Sequence, residues 1–337
     1  MQTPPDHSTP EVGFAVDAVR RAVAMARRIR AHLTEPSLAK SDQSPVTVAD
    51  FAIQALLGRL LSESFPADPL VAEEDSSYLR GGEGASVLGA VTSLLRESFP
   101  EADSESVCAW IDKGGSGAAS RFWTLDPIDG TKGFLRGEQY AVALALLEEG
   151  QVQIGVLGCP NLETSGRSSI GGRGSLLVAV RGQGSWAAPL DGEDGYQRLR
   201  VSGRRQAAEA RLLRSVESGH TNTSAFDRLA ETLGTQAAPV LMDSQAKYAV
   251  LAAGAGELLF RLLSPARPKY REKIWDQAAG SLVVEEAGGK VSDLTGASLD
   301  FTRGRTLAEN RGVVASNGAL HRLALRAVKE LGIDGEE

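Results

Sequence analysis

The stretch "LDPIDGTKGF" puts two aspartates, two glycines, a threonine and a lysine into the eight residues from Asp126 to Gly133. Apolar runs flank it on both sides, "RFWT" before and "YAVALALL" after. Pro127 fixes the backbone between Asp126 and Asp129, so both carboxylates can face one cleft. More acid stands at the ends of other predicted elements: Asp50, Glu73 with Glu74, and Asp276. Taken singly, each also reads as ordinary structure. Asp50 and Asp276 make good helix N-caps, and Asp126-Pro127 and Asp129-Gly130 make good turns. Converging in one place, the same carboxylates need compensating positive charge, or their pKa values rise steeply. With only four histidines and two cysteines in the chain, zinc and copper are poor candidates. Oxygen donors alone point to a hard cation, most naturally Mg2+. Gly130 and Thr131 would offer backbone N–H groups to an anion, as glycine-rich turns do. The pattern predicts a metal-and-phosphate site.

The elements that must position these groups can be traced from periodicity. Val12, Val16, Val19, Val23, Ala26, Ile29 and Leu33 fall at helical steps and predict a first helix. A second follows "PVTVAD", with Ile53, Leu56, Leu57, Leu60 and Leu61 on one face and Asp50 as its N-cap. "PLVAEED" predicts a short strand ending in acid, and a helix follows near Val87–Leu95. From Phe122 to Trp186 the pattern is mostly strand, with hairpins turning at Glu149-Gly150 and at Gly182–Gly184. The polar stretch "APLDGEDGYQRLRVSGRRQAAEA" predicts a boundary between an α+β domain, 1–195, and an α/β domain, 196–337. Beyond that stretch strands alternate with helices.

Composition bounds the partners. The chain has 337 residues, 42% hydrophobic and 23% charged, as expected of a soluble globular protein with one large or two moderate domains. A net charge of -7 argues against a nucleic-acid polymer but allows a small phosphorylated ligand at a locally basic site. No apolar run approaches the roughly 18 residues that span a bilayer, so no membrane association is expected. Cys108 and Cys159 are too few for a disulfide framework, fit a reducing compartment and read as inert thiols. A cytoplasmic location is expected. An organelle stroma or matrix is the alternative, because the first helix is Arg-rich, although Glu11 and Asp17 fit a transit peptide poorly.

Three separated motifs carry a family resemblance: "AEEDS", "LDPIDGT" and "WDQAAG" followed by "EEAGG". Together they resemble the lithium-sensitive, Mg2+-dependent phosphatases of the inositol monophosphatase superfamily. "KSDQSPVTVADFAIQ", "KGFLRGEQYAVALAL", "GVLGCPNL", "MDSQAKYAVLAAGAGELLFRL" and "YREKIWDQAAG" are similar to its 3′(2′),5′-bisphosphate nucleotidase branch, over about residues 40 to 317. The resemblance implies an alternating α/β/α/β/α sandwich. It implies Mg2+, about two or three ions per site, held by Glu73, Asp126, the Ile128 carbonyl and Asp129, with Asp276 contributing from the second domain and Glu74 behind Glu73. It implies that Thr131 and Asp50 activate water and that the Gly130 and Thr131 amides hold the phosphate being cleaved. His220, Ser244, Lys247 and Arg261, with Asp276, match positions that contact the nucleotide. The expected reaction is hydrolysis of 3′-phosphoadenosine 5′-phosphate to AMP and phosphate, with 3′-phosphoadenylyl sulfate as a further substrate, in a monomer or weak homodimer. The alternatives are an inositol mono- or polyphosphate phosphatase and a nucleotide-binding protein of the same fold without catalysis.

Overall fold

A computed structural model describes residues 5, 9–31, 38–39, 45–192, 195–216, 223–263, 267 and 269–334. The first predicted helix is α1 (Pro10–Ala31), which buries Val12, Val16, Val19, Val23, Ala26 and Ile29 as its periodicity requires. Leu33 lies outside the described residues. The two-residue strands β1 (Leu38–Ala39) and β2 (Pro45–Val46) lead to α2 (Val48–Ser64). The α2 N-cap is Thr47, not Asp50. Thr47 Oγ1 accepts the Ala49 N–H at 3.1 Å, while Asp50 Oδ2 accepts the Thr47 N–H at 2.8 Å. Asp50 thus sits three residues into a reciprocal capping box, a role that its spacing from Thr47 allows and its residue type alone does not reveal.

After β3 (Leu70–Ala72) come α3 (Ser77–Arg80), α4 (Ala85–Arg96) and α5 (Ser104–Asp112). Then follow β4 (Arg121–Asp129), α6 (Thr131–Arg136), β5 (Ala141–Glu148), β6 (Gln151–Cys159), β7 (Ser175–Val180), β8 (Gly184–Pro189) and β9 (Gln197–Arg198). Strands β3 to β9 form a seven-stranded sheet in sequence order, antiparallel except for the β3–β4 pair. The predicted β5–β6 hairpin turns at Glu149 and Gly150, which adopt φ values of 47° and 74° as a mirror-image turn demands. Strand β9 still pairs with this sheet past residue 195.

The remaining elements are β10 (Leu212–Arg214), α7 (Thr223–Leu233), β11 (Val240–Leu241), α8 (Ala246–Ala252), β12 (Leu258–Arg261), α9 (Ala278–Glu286), β13 (Lys290–Ser292), β14 (Val313–Ser316) and α10 (His321–Glu330). The second sheet has the order β11-β10-β12-β14-β13.

Strand period two assigns the layers. Trp123, Leu125, Leu144 and Val156 face α1 and α2, while Phe122, Ala143, Ala145 and Leu157 face the other way, onto α8 and α9. Leu213, Leu259, Val313 and Ala315 of the second sheet meet the same two helices. Leu212, Leu258, Phe260 and Val314 turn outward, under α7 and α10. The result is the expected α/β/α/β/α sandwich. Its central helices must be apolar all round and narrow. Ala278, Ala279, Gly280 and Ser281 supply that, and β6 comes so close that a Cβ at Gly155 would lie 2.7 Å from the Ala279 carbonyl oxygen. Among the described residues, no helix is long and apolar enough to cross a membrane.

Candidate active site

The site forms where β4 ends. Asp126 pairs with Ala143 and Asp129 with Ala141, so β4 carries one extra residue and bulges at Pro127 and Ile128. A proline, which cannot donate to the ladder, is tolerated at such a bulge. Gly130 follows with φ 86°, and a Cβ there would lie 2.9 Å from Ser244 Cβ, so only glycine permits both the turn and the close approach. The sequence reads this stretch as strand and turn, but the six residues after Gly130 form α6. The Thr131 hydroxyl donates to the Ile128 carbonyl at 3.2 Å.

Glu73 and Glu74 follow β3 directly. Gln54 of α2 fixes their backbone by accepting the Glu74 N–H at 2.9 Å and donating to the Glu74 carbonyl at 2.6 Å and the Ile111 carbonyl at 2.8 Å. Asp276 comes from the other half. It does not cap α9, whose first flanking residue is Gln277. The N–H of Gln245 donates to Asp129 Oδ2 at 2.6 Å, its Nε2 donates to the Trp275 carbonyl at 3.0 Å, and its Oε1 accepts the Gly280 N–H at 3.1 Å. One glutamine thereby ties Asp129 to the residue before Asp276. Ser244, with φ 65°, is strained into the left-handed region, and its hydroxyl accepts the Ala246 N–H at 3.1 Å, the start of α8.

Electrostatics agree with a cation site. Burial first, then repulsion from Glu73, Asp129, Asp276 and Asp50, pushes the Asp126 pKa well above its ordinary value. Burial and Asp129 do the same to Asp276. Burial raises Asp129 too, against the opposing pull of Lys247 and Arg261. Asp126 Oδ1 is buried without a hydrogen-bond partner. Among the described residues no three acidic, histidine or cysteine side chains are drawn into a closed metal cage. An oxygen-only donor set with an orphaned carboxylate oxygen nevertheless suits a hard cation such as Mg2+.

A pocket beside the cluster is lined by Asp129, Ser244, Lys247, Arg261 and Asp276, together with Gln245, Tyr248 and Gln277. Lys247 is buried, and that burial, with help from Arg261, lowers its pKa to about 8. Arg261 is held by Glu272, Nη2 to Oε2 at 2.8 Å, and lies 3.7 Å from Asp276. Gln277 Nε2 donates to the same Glu272 oxygen at 2.8 Å. His220 lies outside the described residues. Asp50, at the start of α2, belongs to the acids that act on Asp126. Sequence reading missed Gln54, Gln245 and Glu272. Gln245 stands inside the quoted "DSQAK" and Glu272 inside "YREKIWD", but only packing shows which atoms they hold.

The inositol monophosphatase family profile matches residues 9–332. A 3′(2′),5′-bisphosphate nucleotidase of Emericella nidulans is 41% identical, covering 93% of this chain and 96% of that protein. One from Schizosaccharomyces pombe is 40% identical over 91% of each chain. Among solved structures, the IMPase of Thermotoga maritima superposes with a TM-score of 0.66 at 20% identity, covering 97% of this chain and 99% of that one. The inositol monophosphatase of Anabaena gives 0.62 at 19% identity over 95% of each chain. Those low identities establish the fold, while the family profile and the higher-identity relatives establish kinship: the chain belongs to the inositol monophosphatase family.

Proposed function

We propose that this protein is a Mg2+-dependent 3′(2′),5′-bisphosphate nucleotidase that hydrolyses the 3′-phosphate of 3′-phosphoadenosine 5′-phosphate, and of 3′-phosphoadenylyl sulfate, in agreement with relatives of that name about 40% identical over most of the chain. Mg2+ dependence is general in the family. The observation that carries the substrate assignment is the pocket in which Lys247 and Arg261 stand beside Asp129 and Asp276. A buried lysine and a half-buried arginine next to a carboxylate cluster suit a ligand with two phosphates, one at the metal side and one held by the cations.

Glu73, Asp126, the Ile128 carbonyl and Asp129 would hold Mg2+ from the first sheet and Asp276 from the second half, two or three ions in all. Bound there, Mg2+ supplies an activated water and neutralises the leaving oxygen of an in-line displacement. The Thr131 hydroxyl donates its hydrogen bond to the Ile128 carbonyl, so its lone pairs remain to orient the attacking water. Asp50 takes the proton from that water. The amides of Gly130 and Thr131 hold the phosphate being cleaved, and Ser244, packed on Gly130, borders it. Lys247 and Arg261, with His220, take the 5′-phosphate and nucleoside.

The test is phosphate release from 3′-phosphoadenosine 5′-phosphate, inositol 1-phosphate, inositol 1,4-bisphosphate and fructose 1,6-bisphosphate, each with Mg2+ and with EDTA. The proposal requires the nucleotide to be the best substrate and EDTA to stop the reaction. A preference for inositol 1-phosphate would assign the chain to the inositol branch.

A further inference from the structure

Arg305 lies in none of the motifs above, yet it joins the two halves of the carboxylate cluster. It stands in the loop between β13 and β14. Its Nη1 donates to the Gly114 carbonyl at 2.9 Å and its Nη2 donates to the Ala72 carbonyl, both in the first half. Its guanidinium carbon lies 4.8 Å from the centre of the Trp275 indole, in the second half. Ala72 directly precedes Glu73, and Trp275 directly precedes Asp276. Backbone pairing anchors the loop: the Ile274 N–H donates to the Arg305 carbonyl at 3.2 Å, and Lys273 bridges to Thr306. The Trp275 carbonyl in turn accepts from Gln245, whose N–H also holds Asp129.

We propose that Arg305 is a positioning residue that sets the separation of Asp276 from Glu73, and through it the affinity of the site for a divalent cation. The inference rests on the Mg2+ role proposed above. An arginine suits this place because a planar fork can bond two carbonyls while its face stacks on an indole, and a lysine ammonium cannot do both. The charge of Arg305 by itself would act in the opposite direction. A fixed cation that feels Glu73 and Asp75 competes with Mg2+ for their field, so removing its charge alone would tighten Mg2+ binding. The sign of the change therefore separates positioning from simple electrostatics.

The experiment is calorimetric titration of Mg2+, without substrate, into the wild-type protein, Arg305→Met and Arg305→Lys. Each protein is also melted in EDTA, and the Mg2+ dependence of phosphate release is recorded. Both variants should bind Mg2+ about tenfold more weakly, the lower end of what is lost when the support of a metal ligand is removed. Phosphate release should then need correspondingly more Mg2+. A merely structural Arg305 would lower the EDTA melting midpoint and leave the Mg2+ Kd of the folded protein unchanged. Unchanged or tighter binding by folded Arg305→Met overturns the proposal, as does wild-type affinity in Arg305→Lys. If Arg305→Met does not fold, the Arg305→Lys comparison decides. A wild-type protein that takes up no Mg2+ overturns the metal role itself and this one with it, and is recognised because it fails before any substitution is made.

Discussion

Asp126→Asn should make the Mg2+-free protein more stable while removing its response to Mg2+. Asp126 is 2% exposed, and burial together with four neighbouring acids raises its pKa well above the ordinary value. A carboxyl whose folded pKa exceeds its unfolded one destabilises the native state once pH rises above the unfolded value of about 3.9. The cost is complete above the folded pKa. Each unit of elevation is worth about 1.4 kcal/mol at neutral pH, and 1 kcal/mol moves the melting midpoint of a chain this long by about 2 °C. The neutral amide should therefore raise the midpoint in EDTA at pH 7 by about 3 °C for every unit of elevation. The gain should shrink toward nothing near pH 4, where the wild-type carboxyl is itself protonated. In the wild-type protein, Mg2+ at a hundred times its Kd should add about 2.7 kcal/mol, or about 5 °C. In the variant it should add almost nothing, and turnover should be lost. The assay is thermal melting across pH 4 to 8 in EDTA and in Mg2+. A lower EDTA midpoint at pH 7 than at pH 4, relative to wild type, would refute the crowding argument. An undiminished Mg2+ shift would refute the ligand role.

Three further outcomes are expected. Arg261→Ala should lower kcat/KM for 3′-phosphoadenosine 5′-phosphate about tenfold to a hundredfold, the worth of a charge-assisted contact. Because Arg261 also lies 3.7 Å from Asp276, hydrolysis of adenosine 3′-monophosphate should fall too. The loss in excess on the bisphosphate measures the 5′-phosphate contact, and equal losses would remove it. Gly130→Ala should destabilise the fold by about 1–2 kcal/mol from the left-handed backbone alone, and should impair turnover because the new Cβ presses on Ser244; wild-type melting and activity together would contradict that packing. His321, buried between the hydroxyls of Ser292 and Ser316, should titrate near pH 4 instead of 6.5, because burial and Lys290 disfavour its charged form. Its folded pKa is depressed, so its contribution to stability is present above about pH 6.5 and is lost as pH falls through about 4. A proton NMR titration that lacks an imidazole with so low a pKa, one that disappears in His321→Gln, would exclude this environment.

The sequence by itself picked out the candidate carboxylates and the run of elements, while the order of the layers followed only from the family resemblance and from the packing of the two sheets. Asp126, Asp129, Glu73 and Asp276 stand out because carboxylates at the ends of apolar elements are costly to gather without a cation. The hairpin at Glu149-Gly150 and the two faces of each strand follow from local turn chemistry and period two, which any reader of the chain can count. Tertiary structure decided everything that depends on which distant groups meet. Thr47 outcompetes Asp50 as the α2 cap, and α6 forms at a stretch that reads as a turn between strands. Gln54 braces Glu74 from twenty residues away, and Gln245 braces Asp129 across 116. Arg261 resembles a free phosphate ligand in the sequence, yet it is folded against Glu272 and Asp276. Arg305 has no local signal at all, because its partners lie 191 and 233 positions away, at Gly114 and Ala72. A buried glutamine or a half-buried arginine looks in sequence like any other polar residue. The cost of leaving its donors unpaired is what selects its partners, and that cost exists only once the two sheets and the helices between them have closed around it.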